Sequence, residues 1–217
     1  WKYKIASEKF LEVSYGGKEV DYNSIATNFT DYSYQQYELR YLHRYDPKNM
    51  FSVNLNTGIY EADDTNYEAI TYGITLGLDH KFTETFSGKI HLGGSETESE
   101  TGAGASVVET SDNGLLFMAG LEKKRERTVY NATLSRAVVP SGGGLLMLSD
   151  RVKLSLRHRM TQKVDFGLTL NAISNENADG TVSALDREYV SVSPSVDWWF
   201  NKVVKMRLSY QYRQQEY

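Results

Sequence analysis

Hydrophobic and polar residues alternate one by one along residues 70–82, which read ITYGITLGLDHKF. Ile70, Ile74 and Leu78 share one parity, and Thr71 and Gly77 share the other. A period of two places successive side chains on opposite faces of a β-strand. The segment is therefore predicted to be a strand with one apolar face and one small, polar face.

The same alternation recurs along nearly the whole chain and predicts an all-β protein. Examples are YELRYLHRY (37–45), FSVNLNTGIY (51–60), RVKLSLRHRM (151–160) and VVKMRLSYQYR (203–213). No segment of similar length carries an apolar stripe with the period of a helix. The pattern predicts about eleven strands, near residues 8–19, 31–46, 50–61, 67–82, 86–97, 113–124, 128–138, 148–160, 164–175, 187–200 and 204–217.

Short and long connections alternate between these strands. The short turns are DPKN (46–49), TET (83–85), RER (125–127), TQK (161–163) and NKV (201–203). The longer polar connections are near residues 20–30, 61–66, 96–112, 139–147 and 175–187. This rhythm is typical of outer-membrane barrels, with tight periplasmic turns and long extracellular loops, and a Greek-key sandwich would not keep it. We predict one domain over residues 1–217: a transmembrane, antiparallel up-and-down β-barrel of about 12 strands in a bacterial outer membrane.

The strand count leaves two interpretations open, because single-chain bacterial barrels close with an even number of strands. In the interpretation we favour, the barrel has about twelve strands and its closing C-terminal strand lies beyond Tyr217. In the other, WKYKIA (1–6) is itself a strand and SEK (7–9) is its turn. Since an unpaired sheet edge is costly in lipid, we expect an additional strand or a partner protein to cover any free edge.

Composition narrows the function classes. The chain has 16 tyrosines but only 3 prolines, and tyrosine is enriched where strands meet a membrane–water interface. Cysteine is absent, which excludes disulfides and cysteine zinc sites. The net charge of −4 argues against a general nucleic-acid binder.

The apolar face of the strands is predicted to contact lipid, because so many large side chains would overfill a soluble barrel, whereas the polar face is rich in glycine. Its ends should then carry aromatic girdles at the membrane interfaces. Three histidines, His43, His80 and His158, belong to these girdles. They are not expected to share a metal ion, because their strands are not neighbours. The bilayer and lipopolysaccharide are the expected partners. The girdle residues expected at the turn end are His43, Tyr45, His80, Phe82, Phe86, His158, Trp198 and Phe200, and those expected at the loop end are Tyr15, Tyr67, Tyr189, Tyr210 and Tyr212.

The segments YDPKNMFSVNLNTG (45–58), FTETFSGKIHLGG (82–94) and RMTQKVDFGLTLNA (159–172) share one style, a few polar residues followed by a new alternating strand. In this the chain resembles bacterial outer-membrane β-barrels, and among them the porin-like barrels associated with exopolysaccharide and exosortase (PEP-CTERM) gene clusters. The resemblance implies an outer-membrane location and a connection with exopolysaccharide.

The inward parity of the strands carries more bases than acids. The acids are Glu12, Glu38, Asp79, Glu122, Asp165 and Asp197. A ladder of cations in a pore lowers the barrier to anions, so we predict a channel that passes or exports anionic solutes or polysaccharide. The cations are Arg40, Arg44, Lys81, Lys89, Lys124, Arg151, Lys153, Arg157, Arg159, Lys205, Arg207 and Arg213.

Two alternatives stay open. Hairpin register places Asp79 opposite Lys89, Arg159 opposite Asp165, and Asp197 near Lys205 or Arg207; such pairs could neutralise a filled, structural barrel that acts through its loops or a partner protein. Catalysis is the other alternative, but inward-pointing His91 has no acid clearly placed to orient it. The acidic loops EADDTN (61–66) and NENADG (175–180) do not match an EF-hand. No catalytic residue, cofactor or metal is therefore expected.

Overall fold

We describe the protein from a computed structural model that covers residues 1–21, 30–62, 66–102, 107–141, 145–177, 187–201 and 203–216. The predicted loops near 20–30, 61–66 and 175–187 lie largely outside these residues. No helix in the described ranges is long and apolar enough to cross a bilayer. The described strands are β1 (Lys2–Ala6), β2 (Lys9–Val20), β3 (Tyr32–Arg44), β4 (Asn49–Ala62), β5 (Tyr67–Thr83), β6 (Phe86–Thr101), β7 (Val108–Lys124), β8 (Thr128–Pro140), β9 (Leu146–Arg159), β10 (Val164–Asn177), β11 (Arg187–Trp199), β12 (Lys205–Ser209) and β13 (Tyr212–Glu216).

Each strand pairs antiparallel with the next one along the chain, from β1 to β12, and β13 pairs with β11 beyond β12. The residue pairing on β11 keeps a single register from β12 into β13. The break between them lies opposite Pro194, whose carbonyl accepts the N–H of Tyr210 at 3.1 Å. Proline has no N–H with which to return the second bond of the pair. β12 and β13 are therefore one interrupted strand, and the sheet has twelve.

The alternative interpretation of the N-terminus, that WKYKIA is a strand, is confirmed. WKYKIA contains β1, which pairs with β2 across the predicted SEK turn, with Lys2 opposite Glu12. The alternation indicates this strand only weakly because it is short and alternates only three times. A closing strand beyond Tyr217 stays a prediction. The predicted antiparallel up-and-down sheet is confirmed, but no ladder joins β1 to β12 or β13, so the described strands form an open sheet with two free edges.

The alternating residues separate onto two faces as the pattern predicts. On β5, Ile74 and Leu76 are 50% and 52% exposed, whereas Thr71 is 4% exposed. On the inner face the strands approach closely at Gly93, where a Cβ would lie 1.8 Å from the carbonyl oxygen of Ile74. From β2 to β12 every strand turns at least one large, exposed apolar side chain outward, among them Val13, Leu39, Leu55, Ile74, Leu92, Leu115, Leu134, Leu154, Leu170, Val196 and Leu208.

The polar connection predicted near 96–112 is mostly strand. β6 and β7 continue pairing up to Thr101 and Val108, so these two strands and β5 have 16 or 17 residues each. Ser95, Thr97 and Ser99 are buried on the inner face. Sequence reasoning missed this extension because both faces of it are polar and the hydrophobic alternation disappears.

An apolar cluster fills the inner face at the loop end. It joins residues of β3, β4 and β5 to one residue of β9, and its central side chains, Tyr60, Tyr67 and Leu146, are at most 1% exposed. Tyr60 and Tyr67 meet edge to face with ring centroids 5.9 Å apart. Since β5 and β9 are not neighbours in the sheet, these contacts bridge its hollow. We call Tyr32, Tyr60, Ala62, Tyr67, Ala69 and Leu146 the mouth cluster.

Candidate functional site

Four cations follow one another on the inner face of β9, at every second residue except Ser155. They share this face because the strand alternates with a period of two. Each is exposed to the hollow of the sheet. These are Arg151, Lys153, Arg157 and Arg159, the core of the predicted anion pathway.

At the turn end two buried carboxylates each hold two cations. The exposure of the Asp165 and Asp197 side chains is 11% and 9%. Arg207 donates to both oxygens of Asp197, at 2.6 and 2.8 Å. A fork-shaped pair of this kind fixes orientation as well as charge. The other nitrogen-to-carboxylate distances are Arg157–Asp165 2.7 Å, Arg159–Asp165 3.7 Å and Lys205–Asp197 3.3 Å.

The predicted cations of β3 are also partly neutralised. Arg40 contacts Glu38 at 2.5 Å and Glu12 at 3.8 Å. Arg44 is 4.0 Å from Glu8, at the limit of an ion pair, with both side chains about half exposed. Ion pairs as exposed as this one are weak. The charge of Arg44 is therefore largely available to attract an anion.

Five of the predicted inward cations have no carboxylate within ion-pair distance among the described residues: Lys81, Lys89, Arg151, Lys153 and Arg213. The β8 and β10 residues opposite Lys153 are Thr133 and Asn171, which are neutral. Arg213 lies over the ring of Tyr189 with its guanidinium carbon 4.7 Å from the centroid, a cation–π contact.

A cavity of about 540 Å³ lies at the turn end of the hollow, beside these unpaired cations. Lys89 and Lys153 line it together with neutral hydrogen-bonding side chains of Asn131, Thr133 and Ser155. Acids line it as well, including Asp79. The cavity therefore combines cations with hydroxyl and amide groups.

His91 has an acidic partner that sequence reasoning missed. Its Nε2 is 3.0 Å from Oδ1 of Asp79. The register was read correctly, with Asp79 opposite Lys89, but the diagonal neighbour takes the carboxylate, which cross-strand geometry allows. His91 lies over Gly77, where an added Cβ would be 2.3 Å from Ser52 Oγ and 2.8 Å from His91 Nε2. The hydroxyl of Ser52 and the Nε2 edge of His91 thus both lie beside Gly77.

The turn-end girdle residues lie on the outward parity. Nδ1 of His80 is 2.7 Å from Oδ1 of Asn49, and His80 meets Phe82 edge to face at 4.7 Å. The other residues of this group are His43, Tyr45, Phe86, His158, Trp198 and Phe200, of which Trp198 and Phe200 stack at 4.8 Å. No group of three metal-binding side chains occurs among the described residues.

Two tyrosines assigned to the loop-end girdle were placed wrongly. Tyr189 shares the inward parity of Ser191, which is 1% exposed, and Tyr67 belongs to the mouth cluster. Both lie on the polar parity of their strands, and only their residue type suggested the interface. Tyr210 and Tyr212 do point outward, with 66% and 54% exposure.

The loop-side ends of β4 to β7 turn acids outward, beyond the apolar band. Exposed glutamates occupy successive outward positions of β6, and the pairing sets Glu100 beside Glu68 and Glu109. Further along the same strands the outward residues become apolar at Leu92 and Leu115. These glutamates form an acidic collar along the outer face of β4 to β7 at the loop end, made of Glu61, Glu68, Glu96, Glu98, Glu100 and Glu109.

No protein-family model and no curated protein matches the chain. Several solved structures resemble it in fold, and two of them are uptake receptors. The ferric yersiniabactin uptake receptor FyuA of Yersinia pestis superposes with a TM-score of 0.55 at 12% identity, over 99% of this chain and 41% of that one. The ferric-catecholate import receptor Fiu of E. coli K12 gives 0.55 at 12% identity, over 99% and 44%. The chain thus spans about two fifths of either receptor's length. Together with the exposed apolar band, the fold places this protein in a bacterial outer membrane.

Proposed function

We propose that the protein is an outer-membrane transport barrel that passes anionic solutes, including segments of acidic polysaccharide, along a basic lumen. The observation that carries the proposal is the pair Arg151 and Lys153, exposed on the inner face with neutral neighbours and no carboxylate partner among the described residues. If the inward cations served only to balance buried acids, each of them would have a carboxylate partner.

The unpaired cations are close enough for an anion to move from one to the next. Arg151 and Lys153 are two residues apart on one strand, about 7 Å along its axis. A unit anion 4 Å from either gains about 4 kcal/mol at an effective dielectric constant of 20 and about 1 kcal/mol in bulk water. Several weak sites at such spacing favour entry without trapping the passenger.

The surroundings of the cations favour a hydroxyl-bearing anion. Asn131, Thr133 and Ser155 line the cavity beside Lys153 and Lys89, so carboxylate or phosphate charge and sugar hydroxyls would find partners together. Most sites for small molecules have volumes of about 300–1,000 Å³, and the cavity of about 540 Å³ is within that range. The resemblance to exopolysaccharide-associated barrels supports the same class of passenger.

A structural or interaction barrel is the second candidate, favoured by the mouth cluster that bridges the hollow. Such a barrel would act through its loops, lipopolysaccharide or a partner protein. In either case the free edges of β1 and β13 need a further strand, from this protein or from a partner, because unpaired backbone is costly in lipid.

Ion selectivity in planar bilayers tests the proposal. Under a salt gradient the protein should show an anion-selective reversal potential. The double variant Arg151→Gln/Lys153→Gln should lose most of that selectivity, whereas Lys123→Gln, an outward cation near Phe86, should keep it. An acidic sugar oligomer added on one side should block the current of the unmodified protein more than that of the double variant. Cation selectivity that is unchanged in the double variant would overturn the proposal.

A further inference from the structure

The sheet divides at its loop end between β7 and β8. Their ladder stops at the Phe117–Arg136 pair, although β7 continues back to Val108 and β8 continues on to Pro140. Over the same stretch β8 and β9 remain paired, up to Pro140 opposite Leu146. β9 also stays paired with β10, as far as Met147 opposite Asn177. The loop-side ends of β8, β9 and β10 therefore part from β7 together.

This end of the hairpin lies inside the hollow. Leu146 and Met147 are consecutive, so they point to opposite faces of β9, yet they are 1% and 5% exposed. A strand of the wall has one face toward lipid or water and cannot bury both. Leu146 packs in the mouth cluster, and Leu148 reaches the inner face of β7, with its Cδ2 3.5 Å from the position of a Cβ at Gly114.

The contacts that hold the hairpin end are suited to repeated release. Leu146 is held by apolar packing in the mouth cluster, and apolar packing has little directional requirement. The hydroxyl of Tyr60 donates to the carbonyl of Ser141 at a long 3.4 Å. Where β7 separates from β8, the guanidinium of Arg136 donates a hydrogen bond to each carboxylate oxygen of Asp150 across the hairpin. This pair stiffens the hairpin at the point about which it would turn.

We infer that residues 137–141 and 145–148 form a plug, built from the wall's own strands, that closes the loop-side mouth and must leave the mouth cluster before a solute can pass. The inference rests on the proposed transport function. It adds the regulation of that route: opening separates Leu146 from Tyr60 and Tyr67, while the loop-side ends of β8, β9 and β10 stay paired with one another and move together.

A disulfide tether tests the plug, and the chain has no cysteine of its own to interfere. The tethered variant is Gly114→Cys/Leu148→Cys, which joins the hairpin end to β7. The control is Ala137→Cys/Ser149→Cys, a cross-strand pair within the hairpin that joins it only to itself. Each is measured in planar bilayers before and after reduction.

Oxidation should lower the conductance of the tethered variant at least tenfold, reduction should restore it, and the control should conduct equally in both states. Equal conductance of the oxidised and reduced tethered variant would overturn the plug and leave the transport proposal standing. If neither the protein nor its variants conduct, the transport proposal is the one that fails, and the position of the plug is read by labelling.

Labelling measures the plug without any transport. Ala69→Cys places a single thiol in the mouth cluster, where Ala69 is 2% exposed. A membrane-impermeant maleimide should modify it slowly, and adding Leu146→Ala should raise the rate at least fivefold by loosening the seat. Labelling at the rate of an exposed thiol without Leu146→Ala would show that the hairpin does not sit in the mouth. No labelling in either variant would show that it does not leave.

Discussion

An arginine placed on the outward face tests whether lipid covers that face. Leu55 is 45% exposed and lies between Leu39 and Ile74 on the neighbouring strands. If acyl chains cover it, Leu55→Arg should cost about 2–4 kcal/mol, as charged residues do near the bilayer midplane. That is a change of about 30- to 900-fold in the folding equilibrium. If water covers it, the cost should stay within about 0.5 kcal/mol, as for other surface substitutions.

The adjacent residue supplies the matched control. Asn56 points inward, opposite Glu38, and its side chain occupies the space over Gly73. Asn56→Arg should change stability by less than about 1 kcal/mol, because an opposite charge lies across the strand pair. Both variants carry the same added charge at nearly the same depth, so only the direction of the side chain differs.

Denaturant titration in phospholipid vesicles measures both variants, with the emission of the 3 tryptophans as the signal. Linear extrapolation to zero denaturant gives the free energy of unfolding for each. Unfolding free energies for Leu55→Arg and Asn56→Arg that agree within about 0.5 kcal/mol would refute the assignment of the outward face to lipid, and with it the membrane barrel.

Two further predictions concern backbone hydrogen bonds. In Pro194→Val the new backbone N–H should donate a hydrogen bond to the carbonyl of Tyr210. The free energy of unfolding should rise by about 1 kcal/mol, and the same titration measures it. In the turn after β3, the side-chain N–H of Asn49 and nearby backbone N–H groups hold the pKa of Asp46 below its usual value. A lowered carboxyl pKa adds stability above the unfolded-state pKa, and this is lost as the pH falls through the folded-state pKa. Asp46→Ala should therefore flatten the acid limb of stability against pH, and an unchanged limb would contradict this.

The period of two was sufficient to predict the fold and the face of most residues. It acts locally: each strand of a barrel wall sees lipid on one side and the hollow on the other, so parity alone assigns a side chain. Arg151 and Lys153 could be placed in this way without any knowledge of their neighbours.

What parity could not supply is the position of the hairpin end. Leu146 and Met147 are both buried because this end of β9 has turned into the hollow, and the contacts that hold it join residues far apart in the sequence. The signal that could have found it is the run GLLML (144–148), apolar on both parities beside a predicted loop. The pairing of His91 with Asp79 was within reach, because the register was known and only the diagonal neighbour was overlooked.

The acidic collar at the loop end makes the barrel electrically asymmetric along its axis. An anion arriving from outside meets like charge first and the cations of β9 only afterwards, whereas one arriving from the turn side meets those cations without crossing the collar. If the protein passes anions as proposed, a charge profile of this kind makes the current depend on its direction, and the pore would rectify. The effect should be strongest in dilute salt and should fade as the screening length falls below about 10 Å near 0.1 M.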